Sequence, residues 1–196
     1  MKTRRAEVHR VTSETDIAVT LTLDGAGDAE IRTGIGFLDH MLELFAHHGG
    51  IDLVVAADGD LDVDGHHTVE DIGLALGQAL KEALGEKRGI RRYGSCLLPM
   101  DEALAMVVLD LSGRPYFVHD LQLAGVRIGE LEGDLTAHFL RSLSTQAGMT
   151  LHVRLLAGSD AHHIVEAVFK GLARALAQAC ERHGRGDVVP STKGTL

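Results

Sequence analysis

The chain repeats part of its own sequence, and this duplication constrains the fold more than any other feature. His40 and His138 lie 98 residues apart, and the adjacent pairs His66-His67 and His162-His163 lie 96 residues apart. Apolar and glycine positions keep the same register, in pairs such as Leu42 and Leu140, Gly50 and Gly148, Leu53 and Leu151, Val55 and Val153, Val69 and Val165, and Leu76 and Leu172. Because the same spacing of apolar residues buries the same faces of helices and strands, we expect the chain to fold as two similar halves.

Each half is predicted to contain two paired strands, a helix, a third strand and a second helix. Alternating apolar residues favour paired strands at 5–12 with 16–24, and at 103–111 with 116–121. Helical spacing favours helices at 36–47 and 135–147, each followed by a strand, at 51–57 and 150–157. A second helix opens at each His-His pair. The sequence therefore predicts an α+β fold of the two-layer α/β type, with duplicated ββαβα halves in which helices cover a mixed sheet.

A charged, glycine-containing connector at 87–92 marks the expected boundary between the halves. This boundary divides the chain into 1–90 and 91–196, which we expect to form one compact catalytic unit. The tail from residue 182 is rich in Gly, Pro, Ser and Thr and is predicted to be a loop.

Composition and charge exclude several classes of protein. A net charge of −9, the absence of Trp and an aromatic content of 4% do not suit a broad nucleic-acid surface. The apolar stretches at 72–80 and 103–109 are far shorter than the roughly 20 residues that cross a bilayer. The two cysteines form no secreted disulfide framework, and no signal region opens the chain. We expect a cytoplasmic protein that binds neither nucleic acid nor membranes.

The repeated His-His-x-Val-Glu segment is a candidate metal motif. On a helix, His66 and Glu70 share one face, whereas His67 points about 100° around the axis, which favours two metal ions over one. The candidate ligands of both copies, together with the two separate histidines, are His40, His66, His67, Glu70, His138, His162, His163 and Glu166. Divided between two ions, this set gives each ion three imidazoles and one carboxylate. A six-coordinate metal such as manganese would keep open coordination positions, and such open positions favour a catalytic role over a structural one.

A single His-His pair would as readily be a structural feature as a metal site, and only the duplication favours ligation. The remaining histidines are therefore interpreted as structural. His47 and His48 are expected at the end of a helix before two glycines, while His9, His119, His152 and His183 lack a motif or a repeat partner.

Several longer motifs resemble those of the imidazoleglycerol-phosphate dehydratase family over nearly the whole chain. They are TGIGFLDHML at 33–42, DGHHTVED at 64–71, RYG at 92–94, PMDEA at 99–103, SGRP at 112–115 and PSTKG at 190–194. One departure is Asp160, where the family usually has Asn. The resemblance implies a ribosomal protein S5 domain 2-like fold in each half.

The resemblance also implies the reaction, which is dehydration of D-erythro-imidazole glycerol phosphate to imidazole acetol phosphate in histidine biosynthesis, with two manganese ions per active site. If two ions bind the two ring nitrogens of the substrate, the resulting imidazolate can expel the neighbouring hydroxyl and then lose the carbon-bound proton. The chain lacks a phosphatase segment before Met1, so we expect the dehydratase activity alone.

The resemblance implies particular roles for several side chains. The catalytic residues would be Glu14, as an acid/base group near the departing hydroxyl, and His67. The matched substrate contacts are Glu14, Arg92, Arg114, Lys170, Ser191, Thr192 and Lys193. Taken singly, each could be an ordinary surface residue. The family also assembles as trimers that build a shell of about 24 subunits with active sites between them, so we expect a homo-oligomer.

Two other functions remain open from the residues alone. A dinuclear metallohydrolase would use a bridging hydroxide, although such sites commonly rely on Asp and Glu. A non-catalytic metal-binding protein would use the ions only to join the halves, although the basic residues near Arg114 and in the tail favour an anionic ligand.

Overall fold

The computed structural model describes residues 3–182, 188–194 and 196. The elements of the first half are β1 (Arg5–Val11), β2 (Thr15–Thr22), β3 (Ala29–Arg32), α1 (Gly36–Gly49), β4 (Asp52–Gly59) and α2 (His66–Leu84). Those of the second half are β5 (Tyr93–Met100), β6 (Ala103–Asp110), β7 (Tyr116–His119), β8 (Arg127–Ile128), β9 (Leu131–Glu132), α3 (Leu135–Ala147), β10 (Thr150–Ala157) and α4 (Ala161–Cys180).

The two large sheets have the same topology. The strand order is β1-β2-β4-β3 in the first sheet and β5-β6-β10-β7 in the second. In both, the first three strands are antiparallel and the last strand runs parallel to its neighbour. Buried valines occupy matching rows, since Val19 pairs with Val55 in one sheet and Val107 with Val153 in the other. The predicted duplication into mixed-sheet halves is confirmed, and the structure adds one unpredicted strand to each large sheet, β3 in the first half and β5 in the second.

The predicted strand pairing of the second half is wrong. Strands 103–111 and 116–121 were expected to pair with each other, but β6 lies between β5 and β10, and β7 pairs with β10. The true partner, β5, contains Gly94 and Pro99, which are both uncommon in strands and conceal its pattern. Gly94 is required because a Cβ atom there would overlap the Ala175 carbonyl oxygen of α4.

The helices join the two halves. α2 packs on β1 and β2, α4 packs on β5 and β6, and between the halves α2 contacts α3 and α1 contacts α4. Two glycines let α2 and α3 approach closely, because a Cβ atom at Gly77 would lie 2.6 Å from the Leu143 carbonyl oxygen and one at Gly73 would lie 2.9 Å from that of Phe139. One hydrophobic core extends through both halves. The division into 1–90 and 91–196 therefore stays a prediction.

The C-terminal tail returns to the connector between the halves. The Gly89 N–H donates a hydrogen bond to the Val188 carbonyl, and Ile90 forms an antiparallel bridge with Arg182. Within the predicted loop, residues 183–187, including His183, and residue 195 lie outside the described residues. Over the described ranges, no helix is long and apolar enough to cross a membrane.

Candidate metal centre

The packing of α1 on α4 brings together the first group of predicted ligands, which we call the Glu166 cluster (His40, His162, Glu166 and Lys170). One oxygen of Glu166, Oε1, lies 3.1 Å from His40 Nε2 and 3.0 Å from His162 Nε2. His162 and Glu166 are one helical turn apart on α4, whereas His40 comes from α1 in the other half. The donor atoms of these three residues lie within 4.8 Å of one another, which makes the group a candidate metal site.

Glu166 is the electrostatic centre of this cluster. Its side chain is only 8% exposed, and its Oε2 accepts a hydrogen bond from the Lys170 ammonium. Burial alone would raise the pKa of Glu166, but the hydrogen bonds from Lys170, His40 and His162 outweigh burial and lower the pKa to about 2. The carboxylate is therefore ionised and ready to bind a cation.

The packing of α2 on α3 brings together a second group, the Glu70 cluster (His66, Glu70 and His138). His66 Nε2 lies 3.7 Å from Glu70 Oε2, and the rings of His66 and His138 are 4.8 Å apart between centroids. Its carboxylate is more accessible than that of the first cluster, because the Glu70 side chain is 45% exposed. It also differs chemically, because Leu74 occupies the repeat position of Lys170.

Each cluster thus combines the separate histidine of one half with the His-x-x-x-Glu face of the other. The sequence left this assignment open, because its spacing relates residues on one helix but not helices of different halves. Within one chain, each cluster has two imidazoles and one carboxylate, one imidazole fewer than the predicted set for each ion.

The missing imidazoles, His67 and His163, contact carboxylates that belong to neither cluster, in keeping with the 100° rotation per helical residue. His67 Nδ1 lies 3.0 Å from Asp60 Oδ2 and 3.8 Å from Glu14 Oε2. His163 Nδ1 lies 2.7 Å from Glu102 Oε2. Each imidazole is therefore held by a carboxylate on the side of the helix away from its own cluster.

Asp60 and Glu102 were not predicted as site residues. Glu102 lies in the PMDEA motif at 99–103, which offered a signal, whereas Asp60 has no partner in the repeat. The backbone N–H groups of Asp160 and Ser159 donate hydrogen bonds to Glu102 Oε1. These bonds and the bond to His163 lower the pKa of Glu102 to about 2, and the Asp160 bond has the largest effect, followed by the His163 bond.

The departure from the family at Asp160 leaves the start of α4 intact. The Asp160 side chain caps the helix by accepting a hydrogen bond from the His162 N–H at 2.8 Å. Asp64, its repeat partner, accepts the equivalent bond from the His66 N–H at 2.7 Å. An Asn oxygen could accept the same bond, so both motifs are held at their first histidine in the same way.

Glu14 lies in the turn between β1 and β2, beside the Glu70 cluster. It lines a hollow of about 220 Å³ together with Arg10, His67 and Glu70. Asp71 anchors the turn, because its carboxylate accepts hydrogen bonds from Thr15 Oγ1 at 2.6 Å and Arg10 Nε at 2.8 Å. The structure thus places the predicted acid/base residue next to His67 at the edge of a candidate metal site.

Apart from Glu14, the predicted substrate contacts fall into three places. Lys170 belongs to the Glu166 cluster, and Arg114 is exposed in the turn between β6 and β7. Arg92 lines a groove of about 650 Å³ with Ser191 and Thr192 of the tail. The Arg92 guanidinium already binds both Asp110 oxygens, at 2.7 and 3.1 Å, and the Pro190 carbonyl at 2.9 Å. Lys193 is exposed two residues beyond Ser191.

The histidines interpreted as structural occupy other surfaces. His47 and His48 lie in the last turn of α1 before the left-handed residue Gly50. His9 pairs with Asp16 across the first hairpin at 2.6 Å, and His119 stacks on Phe117 in β7.

Fold and site together define an enzyme of two duplicated α+β halves, with a histidine–carboxylate centre formed where their helices meet. The family model for imidazoleglycerol-phosphate dehydratase matches residues 33–176. The imidazoleglycerol-phosphate dehydratase of Acetivibrio thermocellus is 55% identical over 193 residues, covering 98% of this chain and 99% of the relative. That of Dinoroseobacter shibae is 56% identical over 194 residues, covering 98% and 100%.

Solved structures agree with the sequence comparison. The crystal structure of the enzyme of this name from Staphylococcus aureus superposes with a TM-score of 0.82 at 38% identity, covering 91% of this chain and 99% of that one. The crystal structure of the imidazoleglycerol-phosphate dehydratase (IGPD) of Pyrococcus furiosus gives a TM-score of 0.83 at 41% identity, covering 96% of this chain and 100% of that one. The chain belongs to the imidazoleglycerol-phosphate dehydratase family and is a dehydratase of histidine biosynthesis.

The ionisation of Glu166 gives a testable acid dependence of stability. Because its folded pKa of about 2 lies below the ordinary 4.5, its contribution is complete above pH 4.5 and is lost as the pH falls toward 2. In the chelator-treated protein, Glu166→Gln should therefore reduce the pH dependence of the urea unfolding free energy in this window. The control is Glu70→Gln, at the more exposed repeat position, which should keep the wild-type dependence. An unchanged dependence in Glu166→Gln would contradict this account of the cluster.

Proposed function

We propose that this chain dehydrates D-erythro-imidazole glycerol phosphate to imidazole acetol phosphate at a site with two manganese ions. The observation that carries the proposal is the pair of cross-half clusters, each with two imidazoles and a carboxylate. An imidazole ring has two nitrogens, and each could bind the ion held by one of the two clusters. A cytoplasmic location is proposed together with this biosynthetic role, and cell fractionation would test it.

The donor set suits manganese. Imidazole and carboxylate ligands are acceptable to Mn²⁺, and the ionised Glu166 supplies a negative charge between two imidazole rings. His40, His162 and Glu166 would hold one ion, and His66, Glu70 and His138 would hold the other. When bound, the two ions would stabilise the negative charge that develops on the imidazole ring.

Glu14 is the proposed acid/base group. Its carboxylate projects from the β1–β2 turn into the hollow that also contains Glu70 and His67. From there it would move a proton at the hydroxyl-bearing part of the substrate, while Asp71 and Thr15 hold the turn in place. His67 would act beside it as a metal-binding catalytic residue.

The basic residues would bind the phosphate. Lys170, Arg92, Arg114 and Lys193 can donate charge-assisted hydrogen bonds, and Ser191 and Thr192 add hydroxyl donors. In this structure the Arg92 guanidinium holds the tail through the Pro190 carbonyl. Arg92 would therefore also keep Ser191, Thr192 and Lys193 near the connector.

The homo-oligomer proposed here is the family's, trimers that build a larger shell of about 24 subunits, and two features support contact between chains. His67 and His163 contact carboxylates outside the clusters of their own chain, so each could complete the ligand set of a neighbouring chain. The outer face of the second sheet also exposes a row of large apolar side chains, as on an interface: Tyr93, Leu97, Val108 and Tyr116.

Assembly should depend on metal, because ligands drawn from different chains would be joined by the ions. Sizing in solution should show trimers after chelation and a much larger species after manganese is restored. His67→Ala should remain small with manganese present. A wild-type size that does not respond to manganese would refute shared ligation.

The activity itself is tested with imidazole glycerol phosphate. The manganese-loaded chain should release imidazole acetol phosphate, and chelation should abolish the release until manganese is restored. Hydrolysis of ester or amide substrates would instead support a metallohydrolase, and tight manganese binding without turnover would support a non-catalytic protein.

Lys193→Ala should raise KM by about tenfold or more with manganese content unchanged, because a charge-assisted phosphate contact is lost. A loss of manganese with unchanged KM would refute the role of Lys193.

A further inference from the structure

The turns that carry Glu14 and Glu102 are equivalent in the duplicated fold. Glu14 lies between β1 and β2, and Glu102 lies 88 residues later, between β5 and β6. The same spacing relates the buried strand residues Val19 and Val107. Each glutamate is near the second histidine of a His-His pair, His67 for Glu14 and His163 for Glu102.

The two glutamates nevertheless make different contacts. Glu102 Oε2 lies 2.7 Å from His163 Nδ1, and Glu102 Oε1 is fixed by the backbone N–H groups of Ser159 and Asp160. Glu14 Oε2 lies 3.8 Å from His67 Nδ1, which is beyond hydrogen-bond distance. In the first half, the histidine is bound by Asp60 instead, at 3.0 Å.

Asp60 is specific to the first half. It follows β4, and the 98-residue offset places Gly158, which has no side chain, at the matching position after β10. The Asp60 N–H donates to the Glu14 carbonyl at 3.2 Å, so the aspartate is tied to the turn that carries Glu14. The two halves therefore hold equivalent histidines with carboxylates from different places in the chain.

The hydrogen bonds decide which ring nitrogen is available. An ionised carboxylate only accepts, so Nδ1 of His67 and His163 carries the proton, and Nε2 is left with its lone pair in the neutral ring. His40, His162 and His66 also turn Nε2 toward the carboxylates of their clusters. In those three rings Nε2 faces the carboxylate that would share the ion, whereas in His67 and His163 a carboxylate holds Nδ1 and leaves Nε2 as the nitrogen available to an ion.

We infer that Asp60 and Glu102 are positioning residues that orient His67 and His163 for metal binding, and that Asp60 thereby frees Glu14 to act on the substrate. The duplication supplied two equivalent turn glutamates, and the halves then diverged. One glutamate orients a ligand, while the other, relieved by Asp60, performs acid/base chemistry. The inference rests on the proposed manganese site.

Manganese affinity separates these roles without relying on turnover. In chelator competition with the full-length protein and Mn²⁺, Asp60→Ala and Glu102→Ala should each bind about 10- to 100-fold more weakly, as expected when the acceptor behind a ligating histidine is lost. Asp60→Asn and Glu102→Gln should stay within a few-fold of wild type, because an amide oxygen still accepts from Nδ1–H. Glu14→Gln should keep wild-type affinity while kcat falls by about 100-fold or more.

A second readout reports the ring directly. In ¹⁵N-histidine NMR of the metal-free protein, at a pH where imidazole is neutral, His67 should carry its proton on Nδ1, and Asp60→Ala should shift the proton toward Nε2. The matched control is Asp62→Ala, an exposed carboxylate of the same loop, which should change neither readout.

The inference is overturned if Asp60→Ala binds manganese like wild type with an unchanged His67 proton position, or if Glu14→Gln weakens binding as much as Asp60→Ala. Neither readout requires the dehydratase reaction. Absence of turnover in the wild-type protein would therefore count against the proposed function and not against the orientation of His67 and His163.

Discussion

The site depends on one packing constraint, the exchange of helix partners between the halves. α1 packs on α4 and α2 on α3, so neither half assembles a cluster alone. His40 reaches Glu166, and His138 reaches His66, only across this contact. The close approach of α2 and α3 requires glycine at positions 73 and 77, where a Cβ atom would collide with carbonyl oxygens of α3. A polar centre formed in this way links the stability of the fold to the geometry of its ligands, because any separation of the halves would also separate the ligands.

The two halves are equivalent in topology but not in chemistry. Lys170 neutralises the buried Glu166, whereas the equivalent repeat position beside Glu70 is the uncharged Leu74. Asp60 holds the histidine of the first half, whereas Glu102 holds that of the second. These differences make the two clusters distinct environments, one with a buried carboxylate bound to an ammonium group and the other with an exposed carboxylate beside Glu14. In the proposed reaction both clusters would bind the substrate ring, and the asymmetry would place Glu14 on one side of it.

Much of the fold could be predicted because the duplication gives every pattern twice. Helix 135–147 and strand 150–157 match α3 and β10 in their bounds, and the 100° rotation between adjacent helical residues correctly predicts that His66 and His67 face different ways. The strand β5 was missed because it contains Gly94, a residue that is uncommon in strands but is required here by the close packing of α4. The crossing of ligands between halves was beyond prediction, because the apolar faces of the helices do not specify their partners. Asp60 was missed because it lies outside every motif and repeat.

Each proposed manganese site would join both halves of one chain and be completed by a neighbouring chain. An anomalous-scattering map at the manganese edge, from crystals of the manganese-loaded protein, is the direct test. We expect two peaks per chain, one bound by His40, His162 and Glu166 and the other by His66, Glu70 and His138, with His67 or His163 of another copy completing each. A map with a single peak per chain, or with His67 and His163 bound to no ion, would contradict this proposal.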